Sequence, residues 1–259
     1  MSEMGITRRR LLFGASSAVL GIAVVTTVPG CSSGGDGTGE GATPTGSGGA
    51  PDGGSPQGPA GTVAGDWRRV ELSFVSAYVL LRGTEAAVVD LGTDGSAEPI
   101  GAALKAAGSG WDAVRHIILT HQHQDHVGGL AGVAPLVSAS LYAGQADISA
   151  INSATPLKPV NDGTEVFGLQ IVATPGHTAG HVAVFDPSTG VLVAGDALRT
   201  NGGLTGPDPQ YTADAAQAAA SVRKLAALDV RAILPGHGAP LTTGAAEALT
   251  RLAASLPAA

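Results

Sequence analysis

The segment Thr120-His121-Gln122-His123-Gln124-Asp125-His126 sets three histidines and a carboxylate within six residues, directly after an apolar run. On an extended segment alternate residues share a face, so His121 and His123 are expected to point the same way. Asp125 and His126 follow in a turn, before Gly128-Gly129 opens a helix. Neutral imidazole and carboxylate suit zinc and related first-row metals. Without a cation, such a group would leave imidazoles competing for donors and the acid in need of a partner. Three further positions share one context: a titratable residue beside glycine at the end of a β-branched run. Pro175-Gly176-His177-Thr178 follows QIVAT, Gly195-Asp196 follows VLVA, and Pro235-Gly236-His237-Gly238 follows RAIL. Sites are commonly built on loops at strand ends, where glycine lets the backbone turn and approach closely. Singly these are ordinary loop residues; with the first segment they complete a set of seven. His116, inside a strand pattern, and His181, at the start of one, are expected only to pack. The one cysteine, Cys31, cannot build a thiolate site, so any metal must take nitrogen and oxygen donors.

The elements that must position these groups alternate short β-branched runs with Ala-rich stretches. Residues 70–81 read as two strands or one long bent strand. Further strands are expected at 86–90, 115–120, 169–174, 182–185, 191–194 and 231–234, and helices at 96–107 (capped by Ser96), 212–228 and 241–256. That mixture is an α/β class with at least one mixed sheet, and periodicity alone does not choose between a doubly wound sheet and a two-sheet sandwich.

HQHQDH, PGHT, GD and PGHG, in this order, resemble the metallo-β-lactamase superfamily, over about residues 70–256. The resemblance implies an αββα sandwich of two mixed sheets flanked by helices, with metals at one edge between the sheets. It implies that His121, His123 and His177 hold a first metal, that Asp125, His126 and His237 hold a second, and that Asp196 bridges the two. Asp90, ending VVD, matches a family acid that supports the ligands from behind. The implied cofactors are two divalent metals, zinc foremost. The implied chemistry is cleavage of a small ester, thioester, lactone or lactam by a hydroxide between the metals, with Asp125 both ligating and orienting it. A mononuclear iron dioxygenase acting on persulfides, and a metal-binding protein without activity, are the alternatives. No cysteine follows Cys31, which excludes β-lactamases with a cysteine ligand, and Asp196 favours thioesterases of the glyoxalase II kind, lactonases and general hydrolases. About 20 residues follow His237. A glutathione-binding helical domain is therefore not expected, and a glutathione thioester is disfavoured. Bond class, substrate and oligomeric state stay open.

At the start of the chain, Thr7-Arg8-Arg9-Arg10-Leu11-Leu12-Phe13 precedes an uncharged stretch that runs to Val28, and resembles a twin-arginine export signal. Val28-Pro29-Gly30-Cys31 resembles a lipoprotein cleavage box, although Pro29 departs from the usual pattern. An uncleaved membrane span is the alternative, since about 18 apolar residues can just cross a bilayer. Residues 1–31 thus read as a signal, with Cys31 the lipidation site. Residues 32–61 read as a disordered Gly/Ser/Pro-rich linker, and 62–259 as the folded domain. The expected place is outside the cytoplasm, tethered to the outer face of the cell membrane. A net charge of −7 argues against nucleic acid. The expected partner is a small-molecule substrate, with membrane contact through the N-terminal anchor only and no protein partner. Loops 128–132, 148–159 and 198–211 are candidates to shape its pocket. Tyr142, Arg199 and Tyr211 are expected to be surface or packing residues rather than substrate contacts.

Overall fold

The β-branched runs pair into two sheets. A computed structural model describes residues 62–257; the signal, Cys31 and linker 32–61 lie outside the described residues. The first sheet holds β1 (Thr62–Ala64), β2 (Trp67–Leu72), β3 (Val75–Arg82), β4 (Glu85–Val89), β5 (Val114–Leu119), β6 (Ser140–Gly144) and β7 (Leu157–Val160), in that spatial order. β1 to β4 are antiparallel neighbours, and β4 to β7 are parallel. Helix α1 (Ala97–Ala106) makes the crossover from β4 to β5, and the short helices α2 (Gln124–Val127) and α3 (Leu130–Val133) lie between β5 and β6. The second sheet holds β8 (Glu165–Val166), β9 (Leu169–Ala173), β10 (Val182–Asp186), β11 (Val191–Gly195) and β12 (Ala232–Pro235), in the order β12-β11-β10-β9-β8. Only β11 and β12 run parallel there, joined through α4 (Ala215–Leu225); α5 (Ala245–Ser255) follows β12.

Continuous apolar runs are what strands buried on both faces require, and β4 shows why. Ala86 and Val88 face outward onto Ile100 and Leu104 of α1, while Ala87 and Val89 face inward. The inner layer packs Tyr78, Leu80 and Ile118 against Ile171, Val184, Val193 and Leu234. Beyond the second sheet, Val222 and Leu225 of α4 and Leu249 of α5 cover Phe185, Leu192 and Ile233. The result is helix, sheet, sheet, helix.

Residues 70–81 form two strands, turned at Ser73, whose φ is +69°. Several boundaries differ from the sequence reading. The α4 cap is Asp214 rather than Thr212, accepting the Ala216 and Gln217 N–H groups. The last helix starts at Ala245, because Leu241 is drawn into a bridge with Ile233. Ser96 does not cap α1 through its side chain; its hydroxyl donates to the Leu91 carbonyl. No described helix is long and apolar enough to cross a membrane.

Candidate metal centre

Strand direction brings the seven residues together. β4 and β5 are parallel, so Asp90 and the 121–126 segment leave the first sheet at the same edge. β9 and β11 both run antiparallel to β10, and β12 runs parallel to β11; all three therefore deliver their C-terminal loops, carrying His177, Asp196 and His237, to one edge. The sheets are tied at this edge by Tyr78 Oη donating to the Pro235 carbonyl (2.7 Å), Ser76 N–H to the Gly236 carbonyl (2.9 Å) and Val182 N–H to the Thr120 carbonyl (2.8 Å). Gly236 is needed for the approach: a Cβ there would lie 2.5 Å from Asp196 Oδ1 and 2.6 Å from His126 Cε1.

Two groups of donor atoms converge. His123 Nδ1 lies 3.0 Å from both His121 Nε2 and His177 Nε2. His237 Nε2 lies 3.3 Å from Asp125 Oδ2 and 3.4 Å from His126 Nε2. Asp196 stands between the groups: Oδ1 is 3.2 Å from His126 Nε2, and Oδ2 is 3.4 Å from His177 Nε2 and 3.3 Å from His237 Nε2. His121 also belongs with His126 and Asp196 by the same proximity, so the two groups are contiguous.

The ring orientations are set from behind. Asp90 accepts the Thr120 N–H on Oδ1 (2.7 Å), and on Oδ2 both the Thr120 hydroxyl (2.7 Å) and His126 Nδ1–H (2.8 Å). The Thr120 oxygen, having donated its proton to Asp90, accepts from His121 Nδ1–H at 3.0 Å. One carboxylate thus places the protons of two imidazoles on the far nitrogen and turns a lone pair of each toward the cluster. The Phe74 carbonyl does the same for His237, accepting from Nδ1–H at 2.9 Å, with the Phe74 ring stacked on the imidazole.

Sequence reading missed two supports. His181, expected only to pack, accepts the Asp196 N–H on Nε2 (3.0 Å), while its Nδ1–H donates to Thr174 Oγ1 (2.7 Å). Burial first, then the neighbouring His177, lowers its proton affinity to a pKa of about 3, which keeps Nε2 an acceptor. Its place at the start of β10, opposite the exit of β11, was the missing information. Asp147 is also buried, and joins three loops. It accepts the Gln122 N–H (3.1 Å) and the Thr178 hydroxyl (2.6 Å) on Oδ2, and the Gly180 N–H (2.6 Å) on Oδ1. Gly144 and Gly180 pack backbone to backbone beside it, since a Cβ on Gly144 would lie 1.8 Å from the Gly180 carbonyl oxygen. Nothing local marks an acid in a turn as such a clamp. His116 does pack, against Phe167 and Tyr142.

The electrostatics call for positive charge at this point. Asp196 is buried, and Oδ1 accepts no hydrogen bond. Burial opposes its charge, but His126 and His237 hold the carboxyl well below its ordinary range. Burial likewise opposes charge on His126, yet Asp196 and Asp90 raise its proton affinity well above normal; against the same opposition Asp125 and Asp196 raise His237 to a pKa of about 10. His121 and His177 go the other way. Burial first, then neighbouring imidazoles despite Asp196, leaves His177 at about 4 and His121 well below its ordinary value. Lone pairs facing lone pairs, and carboxylates that recruit protons, fit cations in place of those protons. Tetrahedral zinc with bonds near 2.0–2.1 Å would set neighbouring donors about 3.3 Å apart, close to the 3.0–3.4 Å contacts found.

The site floors a cleft of about 1170 Å³. Of the loops expected to shape it, 198–211 contributes Arg199, Asn201, Asp208 and Tyr211, while 128–132 contributes only Gly128 and 148–159 nothing. Ser73 and Phe74 of the β2–β3 turn and Thr93 and Asp94 after β4 line it instead, because both turns end at the sheet edge where the site lies. Tyr142 does not line the cleft.

A family model described as the metallo-beta-lactamase superfamily matches residues 70–237. The chain belongs to this superfamily. Among solved structures, a family member from Thermus thermophilus is similar with a TM-score of 0.59 and 24% identity, covering 73% of this chain and 78% of that one. The metallo-beta-lactamase SMB-1, in complex with mercaptoacetic acid, has a TM-score of 0.57 and 22% identity, covering 68% and 78%. Both likenesses establish the αββα fold. TTHA1623 in a di-iron-bound form matches with a TM-score of 0.57 and 27% identity, covering 73% of this chain and 96% of that one. Among curated relatives, a probable metallo-hydrolase of Bacillus subtilis (strain 168), YflN, is 29% identical over 174 residues, covering 50% of this chain and 66% of the relative. A hydroxyacylglutathione hydrolase of Dechloromonas aromatica (strain RCB) is 36% identical over 137 residues, covering 50% and 48%. The chain thus spans about half to two thirds of the length of these superfamily relatives.

Proposed function

We propose that this superfamily member is an exported, metal-dependent hydrolase that holds two divalent metals and cleaves a small ester, thioester, lactone or lactam. The carrying observation is Asp196, whose two oxygens face imidazoles of both donor groups. In this reading His121, His123 and His177 hold one metal, Asp125, His126 and His237 the other, and Asp196 both. When bound, the metals acidify water and polarise the acyl oxygen. The chain's own groups do the rest. Asp90 and the Phe74 carbonyl fix the imidazole tautomers, and His181 fixes the Asp196 backbone. Asp125, half-buried at the cleft floor, accepts a hydrogen bond from the attacking water and so aims its oxygen at the acyl carbon. Water's oxygen forms the new bond to that carbon, the bond to the leaving group breaks, and water's other proton is carried to the leaving group.

The names of the relatives, a probable metallo-hydrolase and a hydroxyacylglutathione hydrolase, support hydrolysis of this kind. The nitrogen and oxygen donors accept zinc or iron; we take zinc as resident metal, with the di-iron form of TTHA1623 as the competing case. Metal analysis of the purified protein, with a hydrolysis screen over lactones, thioesters, esters and β-lactams, tests the reading. Two metals per chain and turnover on one class are expected, with both reduced in Asp196→Ala. One iron per chain with persulfide oxidation, or full metal loading without turnover, would overturn it. Export and tethering rest on Arg8 to Arg10 and Cys31. Cys31→Ser is expected to release the protein from the membrane fraction, and an unchanged distribution would refute lipidation.

A further inference from the structure

Apart from the metal-binding acids, five charged side chains line the cleft: Arg69, Glu71, Asp94, Arg199 and Asp208. Both cations are already engaged. Arg69 donates from Nε to Ser76 Oγ (2.9 Å) and from Nη2 to the Gly238 carbonyl (3.0 Å), and its Nη1 lies 3.6 Å from Glu71 Oε2. Arg199 Nη1 meets Asp208 Oδ2 at 2.5 Å, and its Nε is buried away from the cleft's water. The pairing is built into one loop. Arg199 and Thr205 exchange backbone hydrogen bonds (3.0 and 2.9 Å), which pins the point from which the guanidinium emerges. Asp208 accepts the Gln210 N–H on Oδ1 at 2.9 Å. That bond, then Arg199, holds the carboxyl below its ordinary range, so Asp208 stays charged. Among the described residues no basic side chain forms an ion pair with Asp94.

We propose that Arg199 and Asp208 make the cleft selective by charge: with Arg199 neutralised from within its own loop, the site takes acyl substrates that carry no carboxylate away from the bond cleaved. This rests on the hydrolase reading above. An anionic substituent entering the cleft would lose its water and meet the carboxylates of Glu71, Asp94 and Asp208, while the two guanidinium groups are each already paired with one of these acids. A neutral acyl chain suffers no such loss. Selectivity of this kind comes from an unfavourable interaction with the wrong substrate rather than from an added contact to the right one.

The test uses the full-length, metal-loaded protein and two matched esters, p-nitrophenyl butyrate and the p-nitrophenyl monoester of glutarate, which differ chiefly in a distal carboxylate. The wild type is expected to favour the butyrate in kcat/KM by roughly tenfold or more. Asp208→Asn keeps an oxygen for the Gln210 N–H and removes the charge. It is expected to shift the kcat/KM ratio toward the glutarate ester by about ten- to a hundredfold, the value of a charge-assisted hydrogen bond. The double variant Arg199→Met/Asp208→Asn is expected to cancel that shift, which places it on the guanidinium rather than on a moved loop. A wild type that prefers the glutarate ester, or a ratio unmoved by Asp208→Asn, overturns the charge-selection proposal alone. Failure of both esters, together with every other class in the screen, overturns the hydrolase reading and this proposal with it.

Discussion

Replacing Asp90 by Asn would uncouple both donor groups with one change of charge. Asp90 has φ +61°, a left-handed conformation that Asn tolerates as well as Asp, so the backbone has no reason to move. The carboxylate serves three donors: the Thr120 N–H at Oδ1, and the Thr120 hydroxyl and His126 Nδ1–H at Oδ2, all within 2.8 Å. An amide offers one accepting oxygen, and its NH2 turns the other position into a donor. With NH2 in the Oδ2 position, His126 loses its acceptor, and its proton moves to Nε2, onto the lone pair that faces Asp196. With NH2 in the Oδ1 position, the buried Thr120 N–H faces another donor. Either loss costs roughly 1.5–3 kcal/mol. Removal of a carboxylate behind a metal-binding histidine lowers metal affinity roughly 10- to 100-fold. Because His121 depends on Asp90 through Thr120 and His126 depends on it directly, both sites weaken. Thr120→Val breaks only the relay to His121 and is expected to weaken one site. Competition with a chelating zinc dye, fitted to two dissociation constants on wild type and both variants, reads this out, with circular dichroism to show that each remains folded. Unchanged constants in a folded Asp90→Asn protein, or equal weakening of both sites by Thr120→Val, would refute the relay.

Asp147→Asn is expected to loosen the loops that carry His123 and His177 while sparing the His126–His237 group, so that a cobalt-substituted protein loses the spectrum of one site before the other; simultaneous loss would show a merely structural role. Metal loading at pH 7 should release a proton from His237, whose pKa of about 10 leaves it protonated until the cation displaces that proton; calorimetric heats independent of buffer ionisation enthalpy would contradict this. Asp186 is buried, pairs with Arg82 at 2.8 Å and accepts from Trp67 Nε1 at 3.3 Å. Burial opposes its charge, but Ser188, Thr189 and Arg82 hold it below its ordinary range. A depressed carboxyl contributes stability that is present above the unfolded value, roughly pH 4, and lost as pH falls through the folded value. Thermal midpoints should therefore drop below about pH 4 more steeply in wild type than in Asp186→Asn, and parallel curves would count against it.

The sequence by itself determined the chemical inventory and its local setting. Three histidines and an acid in six residues, and a titratable group beside glycine after each of three β-branched runs, are local patterns. So are the strands that carry them, whose apolar runs form wherever they can be buried on both faces. The edge strands β1, β7 and β8, and β6 next to the edge, lacked that signal, being short and partly exposed. Tertiary structure alone decided which strand ends meet. The shared edge depends on β4 pairing parallel with β5, and on β9, β11 and β12 running in one direction, pairings that sum over many residues and leave no mark at any one of them. The same holds for the supports: Asp147 in a turn, His181 at a strand start, the Phe74 carbonyl in a hairpin and the acid that occupies Arg199. Local propensity places a side chain on an element, whereas its partner is chosen by how the buried faces of two sheets pack together, and that choice is cooperative and non-local.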